Sequence, residues 1–122
     1  VAASDPPPTA KPLGVDVSVL KALVGDDAEV VRDFLQDFRA SAASIAAELY
    51  VACQSNQAAV VGALAHKLKS SSRAVGAMAL GEVCAAMEVA GKNSNHETLV
   101  ALLPEFEQAM IAVNASLDTL LL

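Results

Sequence analysis

The sequence predicts an all-α fold, an antiparallel up-down four-helix bundle with a short extra helix on its N-terminal side. From about residue 13 onward, apolar residues recur at three- and four-residue steps, which is the period of an amphipathic helix. Aromatic residues make up only 3% of the chain, so we expect a core of small aliphatic side chains. No alternating apolar and polar run indicates a strand, and helices with short connections between them favour a bundle.

The N-terminal residues differ in composition from the rest of the chain. Four of the five prolines lie within residues 1–12, together with Ala, Ser and Thr, and such a segment stays extended. We therefore predict a Pro-rich linker over residues 1–12 and one domain over residues 13–122, because 122 residues have room for one core. The first residue is Val rather than Met, which indicates a piece of a longer protein.

Start and stop signals divide the predicted domain into helices. A short first helix is expected between a cap at Asp16 and a stop at Gly25. A long second helix is expected to start at Asp26, with Glu29 completing a capping box, and to end near Gln54. Its predicted inward positions are Val30, Val31, Phe34, Phe38, Ile45 and Leu49.

The third helix is expected to start at Ser55 or Asn56 and to run to about Val75, where Gly76 ends or bends it. A fourth helix follows and closes at Gly91. Its predicted inward positions are Leu80, Val83, Cys84 and Met87.

The fifth helix is expected to start with a second capping box, formed by Ser94 and Glu97. Pro104 is expected to kink its first turns. Its predicted inward positions are Leu99, Leu103, Phe106, Met110, Val113, Leu117 and Leu120.

Charge and composition exclude several classes of partner. Eight Lys and Arg stand against fourteen Asp and Glu, so a phosphate backbone or an anionic membrane would on average be repelled. No apolar run approaches the ~20 residues that span a bilayer. We interpret Cys53 and Cys84 as reduced, buried thiols of a cytoplasmic protein. We therefore expect no nucleic acid and no direct membrane contact.

A metal site is not expected either. The cysteines and the two histidines, His66 and His96, have no spacing typical of a zinc site. His96 has no acidic or cysteine partner within sequence range, so we interpret it as a surface residue.

The third helix carries the features that point to chemistry. Its predicted inward positions are Val60, Val61, Leu64, Leu68 and Val75, and at about 100° per residue His66 points away from them into solvent. Gly62 and Ala63 lie one turn before His66, and Lys69 and Ser70 lie one turn after it. An exposed imidazole with a free ring nitrogen is a nucleophile, and small neighbours leave room for a protein that carries an electrophile.

Basic residues are concentrated around this histidine. Lys67, Lys69 and Arg73 are three of the eight in the chain, and no acidic residue occurs from residue 51 through 81. A phosphoryl group accepted by such an imidazole would carry close to two negative charges. Lys69, one turn after His66, is expected to hold one of its oxygens. A charge pair at ~4 Å is worth about 1 kcal/mol in water and about 4 kcal/mol at an effective dielectric constant near 20. Lys67 and Arg73 are expected to add a weaker positive field.

These features resemble the histidine-containing phosphotransfer (HPt) domain of bacterial phosphorelays, which is typically the last module of hybrid sensor kinases. The resemblance covers about residues 13–122. The residues that carry it are Gly25-Asp26-Asp27, Phe34-Leu35-x-x-Phe38, His66-Lys67-Leu68-Lys69-Ser70-Ser71, Gly76-Ala77, Cys84 and Met87-Glu88.

The resemblance implies a function for three residues. His66 is expected to be phosphorylated on Nε2 by a phospho-aspartyl receiver domain and to pass the group to another receiver aspartate. Lys69 is expected to steady the phosphoryl group, and Glu88 to bond the other ring nitrogen. A helical wheel supports Glu88 independently, because it lies about 80 to 90° from the apolar stripe of the fourth helix.

Receiver domains are the implied partners. A receiver is expected to contact small or basic residues around the histidine. Leu35 and the short first helix are expected to add an apolar docking patch. The expected contact residues are Gly62, Ala63, Lys67, Ser70, Arg73 and Leu35. Ser70 departs from the family, which usually has Gly after the lysine, and its hydroxymethyl group either narrows the partner's approach or offers a hydrogen bond.

No nucleotide-binding motif occurs in the sequence, so we expect a phosphocarrier rather than an enzyme. The domain is expected to have no cofactor of its own, with Mg²⁺ on the partner receiver, and to act as a monomer in the cytoplasm or tethered to a membrane-bound sensor kinase. The alternative is a helical adaptor or scaffold that binds a signalling partner without chemistry. A nucleophile-triad enzyme is disfavoured, because no His-acid-nucleophile set has plausible geometry on facing helices.

Overall fold

The computed structural model describes residues 14–122, so the predicted linker at residues 1–12 lies outside the described residues. The helices are α1 (Val17–Val24), α2 (Ala28–Gln54), α3 (Ala58–Ala74), α4 (Met78–Lys92) and α5 (His96–Leu120). Residues 14–122 contain no strand, and the predicted all-α class is confirmed.

The four long helices pack as a bundle in chain order. Consecutive helices from α2 to α5 are in contact, and α2 also contacts α5, which closes the ring. Only three residues connect each of these helices to the next, so consecutive helices run antiparallel. The short α1 packs on α2 and α3. This arrangement confirms the predicted four-helix bundle with a short extra helix.

Helix α1 is tied to the far end of α3. The backbone N–H of Asp16, its N-cap residue, donates to the carbonyl oxygen of Gly76 at 3.1 Å. Gly76 has φ +80°, and a Cβ at this position would collide with the Asp16 carbonyl oxygen. A glycine is therefore required both by the backbone conformation and by the close approach of α1.

Three predicted helix starts are shifted. The N-cap of α2 is Asp27 rather than Asp26, and its carboxylate accepts from the backbone N–H of Glu29 at 2.9 Å. The N-cap of α5 is Asn95 rather than Ser94. Ser94 and Asn56 have φ of 54° and 57°, so both lie in left-handed turn positions instead of starting a helix. Helix α3 begins after Gln57 without a side-chain cap.

The core is built mainly from aliphatic side chains contributed by all five helices. The largest fully buried side chains are Phe106, Leu20, Leu35, Leu49, Leu68, Leu80, Met87, Leu99, Leu117, Val61 and Val113. Cys53 and Cys84 are free and buried, as predicted. Burial raises the pKa of the Cys84 thiol to about 12, although Arg73 and Lys69 act in the opposite direction.

Four residues predicted to point inward are exposed. The buried stripe of α2 runs through Val31, Leu35, Phe38 and several alanines, which leaves Val30 and Phe34 at its edge. Val60 likewise lies outside the buried stripe of α3, and Leu120 is the last residue of α5. Small alanines occupy inward positions, so the largest apolar residues did not mark the centre of each stripe. No helix within residues 14–122 is long and apolar enough to cross a membrane.

Candidate functional site

His66 lies in the middle of α3, on the face opposite the buried residues. The buried stripe of α3 includes Val61, Leu64, Ala65 and Leu68, and this stripe anchors the helix in the core. The His66 side chain is 60% exposed. The ring is therefore accessible to another molecule while its backbone is held by the bundle.

A buried carboxylate from the neighbouring helix contacts the ring. Glu88 lies on α4, where the adjacent Met87 and Cys84 face the core, and its side chain is only 8% exposed. Its Oε2 lies 2.8 Å from Nδ1 of His66. The carboxylate thus reaches sideways from α4 to α3, which is the direction that the helical wheel indicated.

Two glycines bring α3 and α4 close enough for this contact. A Cβ built on Gly91 of α4 would lie 2.6 Å from the Cα of Gly62 on α3 and 2.7 Å from the carbonyl oxygen of Ala58. Side chains at this crossing would separate the two backbones. Gly91 was expected to close α4, but the helix continues to Lys92, so Gly91 lies inside its last turn.

Two lysines also reach Glu88. The Nζ of Lys69 lies 2.5 Å from Oε1, and the Nζ of Lys92 lies 3.3 Å from Oε2. The hydrogen bond from Lys69 lowers the pKa of Glu88 most, the bonds from His66 and Lys92 lower it further, and burial opposes them. The resulting pKa is about 2, below the ordinary value of 4.5, so the carboxylate carries no proton at neutral pH.

The ionised carboxylate determines how the neutral imidazole of His66 is protonated. Glu88 offers only acceptor oxygens, so the short contact at Nδ1 requires the ring to donate an N–H there. The lone pair of the neutral ring is then on Nε2. The arrangement provides an exposed nitrogen nucleophile whose orientation is fixed by a buried partner.

Lys69 is on the same side of the bundle as Glu88 and is paired with it. Its side chain is 21% exposed and its ammonium group contacts the carboxylate. From the sequence, we expected this ammonium group to be available to a phosphoryl oxygen. In the structure it is paired with Glu88. To contact a group on Nε2, the ammonium must either leave the carboxylate or contact both groups at once.

An open groove of about 540 Å³ runs between α3 and α4 beside His66. Three predicted contact residues, Gly62, Ala63 and Lys67, line it. Gly62 is buried and has no side chain, so it contributes only backbone, whereas Ala63 and Lys67 are exposed. The small residues predicted beside the histidine therefore do leave open space next to the ring.

The other predicted contact residues of α3 are exposed too. The hydroxyl of Ser70 donates to the carbonyl oxygen of His66 at 3.4 Å, so its side chain lies along its own helix. The aliphatic part of Arg73 lies over Gly81 of α4, where an added Cβ would be 3.1 Å from its Cγ. Both residues lie on the face of α3 that carries His66.

Leu35 does not form an exposed apolar contact. It is only 2% exposed, because it lies in the centre of the buried stripe of α2. Phe34, one residue earlier and about 100° around the helix, is 48% exposed. The prediction of Leu35 as a partner-binding residue is therefore wrong, and Phe34 is the exposed apolar side chain of this segment.

His96 lies at the start of α5 and is half-buried. Its Nδ1 is buried without a hydrogen-bond partner. Within residues 14–122, no group of three or more His, Cys, Asp or Glu side chains is arranged to hold a metal ion.

Lys92 contacts Glu88 and was not among the predicted site residues. It lies four residues after Glu88 on α4, and a Glu followed by a Lys at this spacing forms an ion pair along a helix. That signal was available in the sequence. The contact of Gly62 with Gly91 was not visible in the same way, because it depends on how two helices cross.

Comparison with known families agrees with the geometry. A family model described as "Hpt domain" matches residues 29–116, which is 88 of the 122 residues and spans most of α2 through most of α5. Neither the curated proteins nor the solved structures that were compared gave a match. The matched residues include His66, Lys69 and Glu88. The chain therefore belongs to the Hpt domain family, the histidine phosphotransfer domains of phosphorelays.

Proposed function

We propose that His66 accepts a phosphoryl group on Nε2 from the phospho-aspartate of one receiver domain and passes it to the aspartate of another. The observation that carries this proposal is the contact between Nδ1 of His66 and the ionised carboxylate of Glu88 at 2.8 Å. It leaves Nε2 as the free nitrogen of an imidazole that is 60% exposed.

The chemistry requires little more than this ring. The Nε2 lone pair attacks phosphorus, the bond between phosphorus and the aspartyl oxygen breaks, and the aspartate leaves as a carboxylate. The proton on Nδ1 stays where it is, so the phosphorylated ring is cationic and its charge faces Glu88. The second transfer runs in the opposite sense, with a receiver carboxylate attacking phosphorus and Nε2 leaving.

Basic residues on α3 assist by charge. Lys69 is the candidate to hold a phosphoryl oxygen once it releases Glu88, because it lies one helical turn after His66. Lys67 and Arg73 are exposed on the same helix and add positive potential toward an anionic partner.

The receiver is expected to approach over the exposed face of α3. Gly62 and Ala63 leave space beside the ring, Ser70 lies just beyond it, and Phe34 replaces Leu35 as the apolar candidate on α2. We expect Mg²⁺ to be supplied by the receiver and the domain itself to need no cofactor. We also expect it to act as a monomer, in the cytoplasm or tethered to a membrane-bound sensor kinase.

The test is a phosphotransfer assay with receiver domains from the same genome, each phosphorylated on its aspartate. Wild-type protein should acquire acid-labile, base-stable phosphate, and His66→Gln should acquire none. His96→Gln is the matched control, because it removes the other histidine of the chain and should be phosphorylated normally. Circular dichroism of each variant verifies that the bundle is folded.

Two results would contradict the proposal. One is phosphate on His66→Gln at the wild-type level. The other is partner binding by the wild type with no phosphate on His66 from any of the receivers, which is what a helical adaptor predicts.

A further inference from the structure

We propose that Lys92 is a positioning residue that keeps Glu88 paired while Lys69 turns to the phosphoryl group. This inference rests on the proposed function, because it concerns the state in which His66 carries phosphate. It assigns a task to a residue of α4 that touches neither the imidazole nor, in our proposal, the phosphoryl group.

Glu88 has two cations for one carboxylate. Lys69 contacts Oε1 at 2.5 Å, while Lys92 contacts Oε2 at 3.3 Å, the oxygen that also contacts His66. The two lysines differ in exposure, since the side chain of Lys69 is 21% exposed and that of Lys92 is 73% exposed. Lys92 approaches from solvent, along its own helix, at the spacing of one turn.

Phosphorylation creates a competition for Lys69. A phosphoryl group on Nε2 brings about two negative charges to the ring, so it attracts the ammonium that now contacts Glu88. If Lys69 left and nothing replaced it, a carboxylate that is 8% exposed would lose its shortest ionic contact. A buried carboxylate without a cationic partner is unfavourable, and this cost would oppose the movement of Lys69.

Lys92 removes this obstacle because it already contacts the same carboxylate. Its long, exposed side chain can move closer to Glu88 without repacking the core. Glu88 would then remain ionised and would still accept the Nδ1–H of His66, while Lys69 is released to the phosphoryl oxygens. Within residues 14–122, the ion pairs of Glu88 are those with His66, Lys69 and Lys92, so no other cation is in contact to take over.

The experiment is a double-mutant cycle on the rate of transfer from a phosphorylated receiver to His66. Lys92→Gln should slow transfer about fivefold, a typical effect for one ion pair. Lys92→Arg should restore the wild-type rate, because it retains the charge. In a Lys69→Gln background, Lys92→Gln should cause no further loss, since there is no Lys69 left to release.

Arg32→Gln is the matched control. It removes one positive charge from an exposed position on α2, where the guanidinium group donates to the carbonyl oxygen of Leu121, and it should transfer at the wild-type rate. Urea denaturation of each variant separates a change in folding from a change in transfer. The ¹⁵N spectrum of His66 reports whether Nδ1 remains protonated in the phosphorylated Lys92→Gln variant.

Three results would overturn the inference while leaving the proposed function intact. The first is transfer at the wild-type rate by the Lys92→Gln variant. The second is an equal loss in both backgrounds, which would mean that Lys92 acts independently of Lys69. The third is a loss in Lys92→Arg as large as in Lys92→Gln. Failure of the wild-type protein to acquire phosphate on His66 would instead overturn the proposed function.

Discussion

Glu88 determines which ring nitrogen of the neutral His66 imidazole is free. Its carboxylate fixes the proton on Nδ1, pairs with Lys69 and Lys92, and lies almost entirely below the surface. The exposed ring alone would leave either nitrogen available. With the carboxylate beside Nδ1, only Nε2 of the neutral ring is free to attack.

The lowered pKa of Glu88 predicts a pH dependence of stability. Its pKa is about 2 in the folded protein against an ordinary value of 4.5, so the folded state favours the ionised form. The stabilisation is complete above about pH 4.5 and is lost as the pH falls toward 2. The difference in free energy of unfolding between wild type and Glu88→Gln, from urea denaturation, should therefore be constant above pH 5 and shrink below about 4.5. A difference that grows on acidification would contradict this.

The sequence allowed part of this site to be predicted. The exposure of His66 and the sideways direction of Glu88 followed from helical periodicity, because both depend on a single helix. The engagement of Lys69 by Glu88 did not follow, since it depends on the distance between α3 and α4. Leu35 was misplaced because a shift of one position, about 100°, separates a buried from an exposed residue.

At the scale of the helices, the crossing of α3 and α4 makes the site possible. Gly62 and Gly91 lie in contact at this crossing, one turn from His66 and just after Glu88 respectively. Because the backbones approach so closely there, the side chain of Glu88 on α4 reaches the ring of His66 on α3. The spacing of two helices thus determines a hydrogen bond between two side chains.

Gly91→Ala should disturb both the fold and the site. The new Cβ would lie 2.6 Å from the Cα of Gly62, so α4 must move away from α3, at a cost of about 1–3 kcal/mol in the free energy of unfolding. The contact between Glu88 and His66 should weaken, and phosphotransfer should slow. Gly81→Ala is the control on the same helix, because its Cβ meets the flexible side chain of Arg73 at 3.1 Å. Equal stability of the two variants, measured by urea denaturation, would argue against the close crossing.

The number and order of the helices were predictable, whereas their first residues were less so. Periodicity identifies α1 to α5 because each buries one stripe of side chains. Adjacent residues with similar capping ability, such as Asp26 and Asp27 or Ser94 and Asn95, compete for the cap, and the backbone of the turn decides between them.

The whole molecule combines an acidic surface with a basic region around the histidine. The net charge is −6, yet residues 51 through 81 contain Lys67, Lys69 and Arg73 and no acidic residue. A phosphorylated receiver presents an anionic group, so Lys67 and Arg73 should draw it toward His66 against the general repulsion. This effect acts over distance and is therefore sensitive to salt.

Lys67→Gln should slow transfer from a phosphorylated receiver about two- to threefold at low ionic strength, and much less at 1 M salt, where the screening length falls to about 3 Å. Lys67 is exposed, so its replacement should leave the free energy of unfolding unchanged within about 0.5 kcal/mol. Rapid-quench measurements of the transfer rate at several salt concentrations test this prediction. A loss that is equal at all salt concentrations would indicate a direct contact instead of a long-range field.

The most direct test of the mechanism is the position of phosphate on the ring. Protein labelled with ¹⁵N and phosphorylated by a receiver domain can be studied by ³¹P and ¹⁵N NMR, which identify the nitrogen bonded to phosphorus. The contact between Nδ1 of His66 and Glu88 predicts phosphate on Nε2 alone, with Nδ1 still protonated. Phosphate on Nδ1, or on any residue other than His66, would contradict it.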